Sequence, residues 1–197
     1  MKSNSSHKKP VGKFAQFINL RWVISIFIAT IFISSFMSFV SSGLLDNATI
    51  AISFVVLLVI IVIGIIFDII GVAVTAADPS PFHSMAAKKR PAAKEALKLI
   101  ENADKVSSFC NDVVGDICGV VSGSASAVIA ARTIIGFEPT LASAVQLLMS
   151  ALVAALTVGG KAIGKGFAMG ASKEIVLITS TVIYRVKSIV GFHKNNK

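Results

Sequence analysis

Apolar residues arrive in four long blocks separated by short polar stretches. Trp22–Leu45 runs 24 residues without a charge. Ala48–Phe67 is uncharged and rich in Ile and Val, and its apolar character continues past Asp68 to Val74. Val113–Ile135 and Leu141–Gly160 complete the set. About 20 apolar residues span a bilayer, so the pattern predicts an all-α, polytopic membrane protein with spans over 22–45, 48–77, 113–135 and 141–160. The first block follows a basic segment, as a signal peptide would. It exceeds the roughly 7–15 residues of a signal core and lacks a small-residue cleavage site, which predicts a retained helix. Pro79 and Pro81 close the second block.

Between spans two and three the pattern changes. Over 82–105, after Pro91 at a favoured first helical position, Ala93, Ala96, Leu97 and Ile100 form one stripe. Lys94, Lys98, Glu101 and Lys105 form another, with Glu101 and Lys105 in the favourable i,i+4 order. This is a basic amphipathic helix, lying on the membrane surface or solvated as a loop. Beyond the fourth block, Lys161, Lys165, Lys173 and Glu174 exclude a further ordinary span. Ile175–Tyr184 is too short to cross, so 162–190 is expected to form a juxtamembrane helix. The ends, 1–21 and 191–197, are basic.

Charge fixes the expected orientation. The net charge is +9, but a chain that is 54% hydrophobic with a mean hydropathy of +0.81 uses cations to sort its loops rather than to bind nucleic acid, for which no signature is present. With both termini cytoplasmic, eighteen of the nineteen Lys and Arg residues fall inside. The outer turns carry Asp46 and Glu138, with Arg132 nearby and expected to snorkel outward. Trp22 is expected at the inner interface. The predicted localisation is the cell membrane, multi-pass.

Candidate chemistry centres on the third span. Gly115, Gly119, Gly123, Ala127 and Ala131 recur every fourth residue, a small-residue stripe for helix packing, with Asp112 and Asp116 at its head. Cys110 and Cys118 lie eight residues apart, about 12 Å along a helix, too far for a disulfide. In the predicted topology Asp68, Asp112 with Asp116, and Lys161 sit at similar depth. They make either an oxygen-donor site for a hard cation such as Mg²⁺ or an Asp–Lys pair that neutralises charge. His7, His83 and His193 are isolated, and no catalytic or phosphate-binding motif is present, so no enzyme and no catalytic or cofactor-binding residue is expected.

The block Met85-Ala86-Ala87-Lys88-Lys89-Arg90-Pro91-Ala92-Ala93-Lys94-Glu95-Ala96-Leu97-Lys98-Leu99-Ile100-Glu101-Asn102 resembles the basic helical loop of the CorB/CorC (cyclin M, CNNM-type) magnesium and cobalt transporter membrane domain. Gly160-Lys161-Ala162-Ile163-Gly164-Lys165 resembles the G-E-x-x-P-K that ends that family's last core helix. The resemblance covers about 50–190 and makes 22–45 an extra N-terminal helix. It implies a homodimeric membrane domain with a Mg²⁺ pocket. With two residues inserted, the family's Gly-Asn falls on Gly115-Asp116; Asp68 joins them as a second oxygen donor from this chain's own topology. The departures are specific. The family's S-E-x-A falls on Ile70-Gly71-Val72-Ala73, and its Glu falls on Lys161, whose ammonium has no acceptor lone pair and can take the cation's place. The family's cytosolic CBS-pair domain is expected to be absent, which leaves room for a separate cytoplasmic regulatory partner. The readings are divalent-cation transport or a non-transporting relative closed by an Asp116–Lys161 pair.

Overall fold

A computed structural model describes residues 20–46 and 48–189, and these are helical with short turns. The basic ends, with His7 and His193, lie outside the described residues. In chain order the helices are α1 (Leu20–Asp46), α2 (Ile50–Ala76), α3 (Ser80–Ala87), α4 (Pro91–Glu101), α5 (Ala103–Ser108), a π-helical segment (Phe109–Gly115), α6 (Asp116–Thr133), α7 (Pro139–Gly170) and α8 (Ser172–Ile189). Four stretches are long and apolar enough to cross a membrane: Leu20–Leu45, Ile50–Ala76, Ala103–Thr133 and Pro139–Gly170. The all-α, four-span expectation therefore holds.

Element boundaries differ from the sequence pattern in two places. The loop 82–105 is not one helix but three, because Lys88–Arg90 interrupts it with Lys89 at φ 57° and α4 stops at Asn102. The fourth span does not end at Gly160. It runs on through Lys161 and Lys165 to Gly170, about 48 Å at 1.5 Å per residue, well beyond the roughly 30 Å apolar core of a bilayer. Lys161 and Lys165 do not end the helix, since each backbone group still needs its partner.

The helices divide into a spanning bundle and a collar at its basic end. α2 runs through both. In the bundle Leu57 and Ile61 pack with Ala125, Ile129 and Val153, while Ile60 packs with Val113, Ile117, Cys118 and Val121. In the collar Phe82, Ala96, Ala168 and Val176 close over Ala73, Val74 and Ala77. Ala93 and Ala96 are fully buried, with Leu97 and Ile100 packed against the collar core, as the periodicity predicts. The acid that anchors α4 is Glu95. It accepts from Lys187 of α8 and from Lys98 at 3.2 Å. These bonds, that to Lys187 first, hold the Glu95 carboxyl below its ordinary value of 4.5.

Close approach, not apolar area, sets the bundle's geometry. A Cβ on Gly64 of α2 would stand 2.8 Å from the Cβ of Cys118, and one on Gly71 would collide with the Asn111 side chain. On α7, Ile65 fills the notch at Gly160 and Ile69 the one at Gly164. The small-residue stripe on α7 that packs within the chain is thus Gly160, Gly164 and Ala168, with Ile65 and Ile69 of α2 against its two glycines, while Gly64 and Gly71 of α2 face Cys118 and Asn111. The predicted stripe on α6 behaves otherwise. Only Gly115 is closely approached; nothing lies within 4 Å of a Cβ at Gly119 or Gly123, and Gly123, Ala127 and Ala131 are exposed. α6 buries the adjacent face, Ile117, Val121, Ala125 and Ile129, instead.

α1 rests on α6 and is pinned at both ends. Lys105 sits over the Trp22 ring at 5.9 Å, an attraction of cation and ring face. Arg132 does not reach outward alone: its Nη1 donates to the Leu45 carbonyl at 2.6 Å, serving one of the last carbonyls of α1, which no helical N–H can reach.

The glycine notches predict a sign difference. Gly64→Val should cost about 1–3 kcal/mol through overpacking, whereas Gly43→Ala, with open space around it, should be neutral or stabilise by up to about 1 kcal/mol through helix propensity. Thermal melting of the detergent-solubilised protein checks both.

Candidate functional site

At the junction of bundle and collar, three helices bring charge together. Asp68 lies on the glycine face of α2, between Gly64 and Gly71, and is 3% exposed. Lys161 on α7 follows Gly160 directly, so its backbone lies close to α2 and its side chain can turn inward. Asp116 opens α6. The Lys161 Nζ stands 3.9 Å from Asp68 Oδ1 and 3.5 Å from Asp116 Oδ1. The predicted convergence of Asp68, Asp116 and Lys161 is thus present in the fold.

The two carboxylates are unlike. The side chain of Asp116 is 72% exposed and that of Asp68 only 4%. Both distances are long for a charged hydrogen bond, which prefers 2.7–2.9 Å, so the ammonium offsets one of the two negative charges and saturates neither acid. Asp68 Oδ2 is buried with no hydrogen-bond partner. A buried carboxylate is costly unless paired and hydrogen-bonded. Asp68 is therefore held by one distant cation on one oxygen and has an acceptor oxygen to spare on the other.

Gly115 makes this arrangement possible. A Cβ there would meet Lys161 Nζ at 3.2 Å and the Cys110 carbonyl at 3.3 Å. Gly115 thus lies at the charge cluster, as a backbone surface close to the lysine. The π-helical segment that ends at Gly115 has one more residue per hydrogen-bonded ring than an α-helix. Asp112 and Asp116 consequently do not stack as an α-helical i,i+4 pair. Asp112 instead accepts from Ser108 Oγ at 2.6 Å, and the expectation that it shares the stripe with Asp116 is corrected.

Asn111 is the site residue that sequence reasoning missed. It sits in the notch at Gly71, one turn along α2 from Asp68. Its Nδ2 donates to Ser107 Oγ at 3.2 Å, and its buried Oδ1 has no partner. Nothing in the periodicity marks it, because the π segment rotates it onto the α2 face. Cys110 and Cys118 are both buried free thiols, in keeping with their spacing. Among the described residues no group of three or more His, Cys, Asp or Glu side chains could hold a metal ion; any cation here would rely on two carboxylates, backbone or amide oxygens, and water. Comparison with protein-family models, with curated proteins and with solved structures finds no match.

Removing the lysine tests the electrostatics. Lys161→Met leaves Asp68 buried without a counter-charge and should cost about 3–5 kcal/mol, with most of the loss recovered in Lys161→Met/Asp68→Asn. Asp116→Asn, at the exposed acid, should cost less than about 1 kcal/mol. Melting curves of the four proteins in one detergent give the comparison.

Proposed function

We propose that this chain is a divalent-cation transporter of the Mg²⁺/Co²⁺ type, with Lys161 as a tethered cation in the ion's place. The observation that carries the reading is the Asp68 carboxylate. It is buried within a span, has an unpartnered oxygen, and faces a second carboxylate across a single ammonium. Intramembrane acids of this kind mark ion pathways by default. Asp68 and Asp116 supply oxygen ligands for a hydrated Mg²⁺, which keeps several of its own waters. Gly115 lets the backbone come close. The resemblance of Met85–Asn102 and Gly160–Lys165 to the CorB/CorC membrane domain supports the same substrate class. In this reading both termini are cytoplasmic, the membrane is the cell membrane and the protein works as a homodimer.

A second reading has a specific observation behind it. Lys161 stands within 4 Å of both acids, so an internal cation already occupies the place between them. A non-transporting relative that keeps the bundle and serves as a membrane partner subunit or regulator would look the same.

Mg²⁺ flux into proteoliposomes separates them. Transport predicts wild-type flux that falls about tenfold or more in Asp68→Asn and Asp116→Ala, the worth of one charged ligand. The regulator reading predicts no wild-type flux, and flux gained in Lys161→Glu. The homodimer has its own check. Gly119→Leu places a bulky side chain on the outward stripe of α6 and should shift the purified protein toward monomer in crosslinking or native mass spectrometry; an unchanged dimer removes the stripe from the interface.

A further inference from the structure

We propose that the outer face of α8 is a binding surface for anionic phospholipid in the leaflet at the basic end of the bundle. This rests on the membrane placement of the four spans and is independent of cation transport. α8 has two apolar faces, whereas a helix capping a soluble surface needs one. Its inner face, with Val176 and Ser180 fully buried, closes the collar, and Lys187 is drawn inward to Glu95. Its outer face carries Ile178, Val182, Val186 and Ile189, exposed by 64, 55, 53 and 83%. These positions fall within one stripe at helical spacing, and Arg185 shares it, also exposed.

The occupant follows from what adjoins the stripe. On α7 the outward row Leu152, Leu156, Ile163 and Phe167 is exposed throughout. The apolar surface of the fourth span therefore runs past Lys161 to within a few residues of the start of α8. Bilayer contact extends to the level of the collar, and α8 lies where hydrocarbon gives way to headgroups. An amphipathic helix in that plane buries its aliphatic face at the acyl boundary. The exposed cations from Lys165 to the end of α8 are Lys165, Lys173, Arg185 and Lys187, the last of them paired with Glu95, against one exposed acid in the same stretch, Glu174 in the first turn of α8. An Arg in an aliphatic stripe reaches the phosphate level with its guanidinium while its stem stays apolar, and its planar fork suits phosphate oxygens. Acyl chains on Ile178 and Val182, with a phosphate on Arg185, satisfy both parts of the surface at once.

The test is lipid-selective quenching in the full-length protein. Val182→Trp in a Trp22→Phe background is reconstituted in mixed phosphatidylcholine and phosphatidylglycerol bilayers, with brominated chains on one lipid or the other. The expected result is quenching by both, with phosphatidylglycerol favoured about fivefold per lipid, as one engaged cation provides. Adding Arg185→Gln should abolish the preference and keep the quenching. Equal quenching per lipid would overturn anionic recognition. No quenching by either lipid would overturn lipid contact altogether and place a second copy or a soluble protein on this face. Val186→Trp, on the same stripe, repeats the measurement if Val182→Trp does not fold.

Discussion

The close approach of α2 to its neighbours governs the rest of the molecule. In a bilayer the lipid tails are as apolar as Leu or Ile, so burying such side chains gives helices little reason to associate. What remains is dense contact, and glycine notches supply it. Gly64 admits Cys118, Gly71 admits Asn111, and Gly160 and Gly164 admit Ile65 and Ile69. Because these notches bracket Asp68 on α2 and flank Lys161 on α7, the packing that joins the helices also sets how far apart the charges stand.

The charge cluster then has an unusual balance. Lys161 relieves the burial of Asp68 without fully satisfying it, since the contact is 3.9 Å and the other carboxylate oxygen has no partner. Asp116 competes for the same ammonium from a more exposed position. An internal cation shared by two acids holds the site together and also stands where an external cation would bind. Both functional readings arise from that single fact, and they differ only in whether the ammonium ever gives way.

The collar gives the bundle a second relation to the membrane. α4 and α8 are tied by Glu95 and Lys187 and by a shared alanine- and valine-lined core. That interface uses only one side of α8. The aliphatic residues on its other side, with a guanidinium among them, suit the boundary layer of a bilayer. A helix so placed couples the basic end of the fold to the lipid around it.

Much of this was legible in the chain. Four spans, the amphipathic helix with Ala93 and Ala96 inward, two unbridged cysteines and the common depth of Asp68, Asp116 and Lys161 follow from hydropathy, helical period and charge asymmetry, which act locally along the sequence. Tertiary structure decided which small residues meet. A stripe at period four shows that a backbone can be approached, not that a partner is there, so Gly119 and Gly123 lie open while Gly160 and Gly164 are filled. It also decided the π-helical turn, whose extra residue per ring separates Asp112 from Asp116 and carries Asn111 onto α2. And it set Arg132 on the end of α1, where the Leu45 carbonyl accepts from its guanidinium as well as from the Ala48 N–H.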